Sequence, residues 1–249
     1  MQVALHFHPD WPSRNGLVVS ALARDGVYRS QFETGTSNGG LTAHPGGDRW
    51  RWESRLFAGR YDDAPAADRP VYGSVLTGPY GGSPRFGSAY LRLREDVLER
   101  TTFCYPDSVF EPTEHGGPSR LPDLMALCAA DDVDDLDGYV EAHVHGGVRL
   151  DRDVEAIVLD PCFRGTPIEA TAAAVTPVEW HPGFRVATAG LDEDYRGPEP
   201  VALARALGAE LTPAVVGEAA RSGAHDPQTL KRVWHHLARF GRLGGDGRP

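Results

Sequence analysis

Cysteine is scarce: Cys104, Cys128 and Cys162 are all the chain holds, an odd number with no C-x-x-C spacing. That excludes a disulfide framework and a cysteine-only zinc site. Lysine is scarcer still, Lys231 being one among 25 basic residues, and with the many Ala, Gly and Pro this reads as the imprint of a GC-rich genome. No apolar run approaches the roughly 20 residues that span a bilayer, which argues against a membrane partner. The opening stretch Met1 to Asp10 lacks a basic n-region and carries two histidines, so it does not read as a signal peptide. A reducing cytoplasm is the expected compartment, with toxin-style export without a Sec signal left open. Surplus positive charge is also missing. The net charge is −10, and from residue 200 onward seven Lys/Arg face four Asp/Glu, so the body of the chain is the acidic part. An acidic body repels phosphate backbones and disfavours nucleic acid as a partner.

What remains is an ordinary globular composition, 41% hydrophobic and 24% charged over 249 residues, long enough to bury a sizeable core. Alternation predicts strands over Val3 to His8, Tyr28 to Glu33, Val71 to Leu76, Phe86 to Leu93, Thr101 to Tyr105 and Tyr139 to His145. The near-continuous apolar run Val154 to Leu159 predicts a further strand, hairpinned to Tyr139–His145 through Gly146 and Gly147. Helices are expected over Gly16 to Arg24, Asp48 to Phe57 and Leu121 to Ala130. Two more follow near the end: Thr212-Pro213 and Asp226-Pro227 supply N-caps with proline at N1, and Gly223 and Gly241 supply stops. This order favours one α+β domain over residues 1–197, with a helical extension over 198–249 packed on it.

The chemistry gathers in few places. In Glu141-Ala-His-Val-His145, positions i, i+2 and i+4 put three ionisable groups on one strand face. That face either lines a site or is solvated, with Ala142 and Val144 turned to the core. His6 and His8 form a second H-x-H. Together with His143 and His145, and with Glu141, Asp10 and Asp107 as carboxylates, they make a zinc or iron site conceivable. The loop Thr34-Gly-Thr-Ser-Asn38 offers hydroxyls where a ligand could approach. It fits neither a Walker A loop nor a dinucleotide fingerprint. Asp131 to Asp137 fails the calcium-loop spacing and reads as solvated. His235-His236 reads as the surface of an amphipathic helix, and no nucleophile elbow is present.

Five blocks carry a resemblance over nearly the whole chain: His6-Phe-His-Pro-Asp10, Tyr28 to Gly35, Arg85-Phe-Gly-Ser88, Tyr139 to Gly146 and Asp160-Pro-Cys-Phe-Arg-Gly-Thr166. They resemble a bacterial family labelled domain of unknown function three-six-two-six, a label that carries no activity. More distantly, the order of a first-strand histidine, a Ser/Thr-rich stretch and a Glu-led strand resembles mono-ADP-ribosyltransferases. The departures are an imperfect Ser/Thr triplet, and Glu141-x-His143 where a Glu-x-Glu pair is frequent.

That second resemblance implies an antiparallel split or strongly bent sheet with peripheral helices. It implies NAD as substrate and Glu141 as the carboxylate that stabilises an oxocarbenium-like ribose. His143 and His145 would help to activate an acceptor, a small molecule or a protein. His6 or His8, with Thr34, Thr36, Ser37 and Asn38, would contact the cofactor, and no metal is expected. Two alternatives stay open: a metal-dependent hydrolase using His6, His8, His143 and His145, and a non-catalytic binding module in which the Glu141 face is solvated.

Overall fold

The computed structural model describes residues 1–35 and 42–243. The fold is mixed α+β with a large mixed sheet. By contacts the chain divides into two interleaved units. The first holds Met1–Leu5, Gly26–Phe86 and Leu91–Glu155; the second holds His6–Asp25, Gly87–Tyr90 and Ala156–Pro249. The C-terminal helices belong with the residues from Ala156 onward, because the chain crosses between units several times before it reaches them.

The sheet strands are β1 (Val3–Phe7), β2 (Val71–Val75), β3 (Ala89–Leu93), β4 (Thr101–Cys104), β5 (His115–Gly116), β6 (Glu141–Val144), β7 (Val154–Leu159) and β8 (Val178–Trp180). In the first unit β6 lies between β2 and β4, antiparallel to both. Every β6 residue is buried, so both faces are covered. The core beneath includes Val71, Phe103, Ala142 and Val144, the apolar positions of these three strands.

The expected hairpin between β6 and β7 does not form. After β6, Gly146 and Gly147 both take positive φ, 76° and 67°, and turn the chain away. Val148–Arg149 then pairs with Val27–Tyr28, and a short helix over Leu150–Asp153 intervenes before β7. One of the two sheet neighbours of β7 is β8, paired over Ile157 to Leu159, and that pair is parallel, which makes the sheet mixed where a purely antiparallel one was expected.

Three helices of the first unit matter here: α2 (Gln31–Thr34), α3 (Asp48–Leu56) and α4 (Leu121–Ala130), with α1 (Val18–Asp25) belonging to the second. The strand expected over Tyr28 to Glu33 ends at Tyr28 and gives way to α2. Ser30 accepts from the Glu33 amide while the Glu33 carboxylate accepts from the Ser30 amide, a reciprocal cap that starts a helix. Gly35 closes it in the left-handed region.

In the second unit α5 (Pro198–Leu207), α6 (Pro213–Ser222) and α7 (Pro227–Phe240) pack together. The Thr212 and Asp226 side chains cap α6 and α7 as the sequence indicates. His235 and His236, expected at the surface, are both buried because α5 and α6 cover α7. Among the described residues no helix is long and apolar enough to cross a membrane.

Candidate functional site

Directly opposed residues of an antiparallel pair share a face. Register therefore writes two polar rows across the first unit. Ser74, Glu141 and Cys104 form one, and Tyr72, His143 and Thr102 form the next. A sheet face carrying six polar or ionisable positions would ordinarily be solvated. Here it is covered, with Glu141 5% and His143 0% exposed. That excludes the solvated reading of the Glu141 face.

Helix α3 supplies part of the cover. Its Asp48–Leu56 span buries Arg49, Trp52 and Glu53, two turns of one face. The rings of Trp52, Phe57 and Tyr72 lie 6.3, 5.6 and 5.0 Å from the His143 ring by centroid. Glu53 is bonded by Arg69 Nη1 at 2.7 Å and by Tyr72 Oη at 3.0 Å. Trp52 also lines a cleft of about 240 Å³ with Leu56, Pro112 and His115.

Beneath this cover runs a chain of hydrogen bonds. Tyr61 Oη meets His145 Nδ1 at 2.6 Å, and His145 Nε2 meets Thr102 Oγ1 at 3.0 Å. Thr102 Oγ1 meets His143 Nδ1 at 3.3 Å, and His143 Nε2 meets Glu141 Oε1 at 2.9 Å. Ser108 Oγ donates to Glu141 Oε2 at 3.2 Å.

The directions follow from donor counting. An ionised Glu141 only accepts, so the His143 proton sits on Nε2. With both rings neutral, His143 Nδ1 accepts from the Thr102 hydroxyl, Thr102 accepts from His145 Nε2–H, and His145 Nδ1 is left to accept from the Tyr61 hydroxyl. Every bond in the series points toward Glu141, and both nitrogens of His145 are engaged in it.

Burial opposes the charge on Glu141, yet the hydrogen bond from His143, the Arg49 guanidinium and the Ser108 hydroxyl together hold its carboxyl below the usual range. Burial, with His143 and nearby arginines adding to it, takes His145 down to about 4, so it is neutral at pH 7. Asp107 moves the other way, raised by burial and by the Glu141 charge despite bonds from Tyr139 and the Val109 amide. Neighbouring carboxylates pushed apart in this way are the usual mark of divided acid and base roles.

The remaining expected site residues lie elsewhere. Thr34 ends α2, its hydroxyl bonded to the Ser30 and Gln31 carbonyls. Thr36, Ser37 and Asn38 lie outside the described residues. His6 and His8 belong to the second unit. His6 packs against Tyr90 at 5.4 Å, and His8 stacks on Trp11 at 4.1 Å with the edge of Trp234 at 4.7 Å. Burial takes both to about 3.

Among the described residues, the one metal-capable group is Cys104, Glu141 and His143, whose donor atoms all lie within 4.8 Å of one another. It shares His143 and Glu141 with the residues expected to hold a metal, and Cys104 was not among them. Cys104, Arg49, Ser108 and Tyr61 were not legible as site residues, since cross-strand register and helix cover bring them to Glu141. Only the alternation of Thr101 to Tyr105 pointed to Thr102 and Cys104 on one strand.

The chain belongs to the family described as "Protein of unknown function (DUF3626)", whose model matches residues 2–131 and 122–240. A comparison with curated proteins gives no match.

Proposed function

We propose that this protein is an ADP-ribosyltransferase-like or NAD-cleaving enzyme with Glu141 as its catalytic carboxylate. The observation that carries the reading is a carboxylate kept ionised at a buried position by donors converging on it. A fixed, desolvated anion of that kind stabilises positive charge that develops in a transition state. Cleavage of the nicotinamide–ribose bond develops such a charge: the bonding pair leaves with nicotinamide and the ribose becomes oxocarbenium-like. The acceptor then bonds the anomeric carbon and loses its proton to solvent water. In this reading His143, Thr102, His145 and Tyr61 orient Glu141, and the acceptor is water, a small molecule or a protein side chain. The Glu-led strand, and a split-sheet fold of the transferase kind, are the parts of the resemblance that join this argument.

The test is nicotinamide release from NAD, measured by chromatography on wild type and Glu141→Gln. Release that falls at least about a hundredfold in the variant supports the reading. Equal release rejects Glu141, and wild type that neither binds nor cleaves NAD rejects the class.

The convergence of Cys104, Glu141 and His143 favours a second reading, a metal-dependent hydrolase. Sulfur, imidazole and carboxylate donors suit Zn or Fe. One feature opposes it. Burial and the Glu141 and Asp107 charges push the Cys104 thiol well up despite the opposite pull of Arg49, so a metal would have to displace its proton. Stoichiometric zinc or iron in the purified protein, lost in Cys104→Ser, would favour it over NAD cleavage.

A further inference from the structure

Arg49 stands in the first turn of α3 and is 2% exposed. Its guanidinium lies over the Tyr72 ring, 4.0 Å from the centroid. Both Nε and Nη1 are buried without a hydrogen-bond partner. Tyr72 and two carboxylates act on it, Tyr72 through a side-chain hydrogen bond as well, and each carboxylate is bonded by other groups: Glu53 by Arg69 and Tyr72, Glu141 by His143 and Ser108. A desolvated guanidinium with unsatisfied N–H groups is among the least favourable things a protein can bury.

A second buried group nearby has the same property. Ser74 lies directly across from Glu141 on β2, and its hydroxyl has no partner. The face around Glu141 thus carries two polar groups awaiting an acceptor. The Nε–H and the Nη1–H groups of Arg49 leave different edges of the planar guanidinium, so each can donate to a separate oxygen of an anion.

We propose that Arg49 is an anion-binding residue that receives a phosphate group of the ligand whose reacting centre sits at Glu141, with the Ser74 hydroxyl as a second donor. The choice of a dinucleotide pyrophosphate as that anion rests on the NAD reading; the anion site itself does not. Arg49 touches the ligand away from the bond that breaks, so its part is binding and positioning.

Calorimetric titration of the full chain tests this with three probes: ADP-ribose and inorganic pyrophosphate, which carry the anion, and nicotinamide riboside, which lacks it. Thermal melts establish that Arg49→Lys and Arg49→Gln are folded. ADP-ribose and pyrophosphate are expected to bind wild type and to weaken about tenfold in Arg49→Lys and more in Arg49→Gln, with nicotinamide riboside unchanged. Anion affinity equal in wild type and Arg49→Gln, or no anion binding by wild type, overturns the proposal.

Should the variants not fold, the Arg49 Nε–H resonance of wild type labelled with ¹⁵N-arginine is followed as pyrophosphate is added. A specific saturable shift supports the site, and a static resonance overturns it. Pyrophosphate binding that depends on Arg49, in a protein that releases no nicotinamide, would sink the NAD reading alone. Nicotinamide release from NAD with the same KM in wild type and Arg49→Gln would sink the Arg49 site alone.

Discussion

The chain carries H-x-H twice, both copies among aromatic rings, and only one of them joins a side-chain hydrogen-bond series to a carboxylate. His143 and His145 are joined by hydrogen bonds through Thr102 and end on an ionised carboxylate. His6 and His8 are packed among aromatic rings, with Tyr90 beside one and Trp11 and Trp234 around the other. The spacing states only that two imidazoles share a strand face. Whether they take part in chemistry depends on what the neighbouring strands and helices bring to them. A carboxylate two residues upstream made the first pair part of a polar network; Pro9 and Trp11 after the second placed it beside an indole.

The largest expected effect sharpens that contrast. His143→Phe leaves the buried Glu141 charge without its main donor and should cost about 3 kcal/mol or more of unfolding free energy. His8→Phe keeps a ring between two indoles and should cost less than about 1.5 kcal/mol. Denaturant titration of both variants measures the difference, and equal losses would erase the distinction.

Next is Tyr61→Phe, which preserves the ring and removes the hydroxyl that donates to His145. It should cost about 1 kcal/mol in the same titration. A cost below about 0.3 kcal/mol would mean that the hydrogen-bond chain gains nothing from its outer end.

A further effect is distributed over pH. His6, His8 and His145 have folded-state values of about 3, 3 and 4 against 6.5 for free imidazole. The unfolded chain therefore binds protons that the folded one refuses. Stability is full above pH 6.5 and falls as pH drops toward 4, by up to about 1.4 kcal/mol per pH unit for each histidine. His8→Phe should flatten that slope by one histidine's share and leave the remainder. A slope unchanged in His8→Phe would mean that His8 is free to protonate in the folded protein.

Local signals in the sequence served well where a few neighbouring residues decide the outcome. Thr212-Pro213 and Asp226-Pro227 start helices, and the alternation in Val71 to Leu76 and Thr101 to Tyr105 marks strands. Ser30-x-x-Glu33 was equally local, but the aromatic alternation around it suggested a strand. The pairing of β7 with β8 could not be read, because two glycines permit several exits from β6. In the site, Glu141, His143 and His145 were legible as a face. Arg49, Cys104, Ser74 and Tyr61 were not, since they arrive through strand register and helix docking. The burial of His236 was also hidden, because an amphipathic pattern does not tell how many neighbours cover a helix.

The exchange of side chains between faces along β6 has a consequence for how the gene can vary. Ala142 and Val144 fill the core on one side while Glu141 and His143 meet polar partners on the other. Inserting one residue between Tyr139 and Glu141 would exchange the two sets at a stroke, driving a carboxylate into an apolar layer and a methyl group onto Arg49's side. Length changes in the acidic stretch before Gly138 avoid that inversion. Natural or laboratory insertions are therefore expected to accumulate in the acidic stretch and to be purged from the strand.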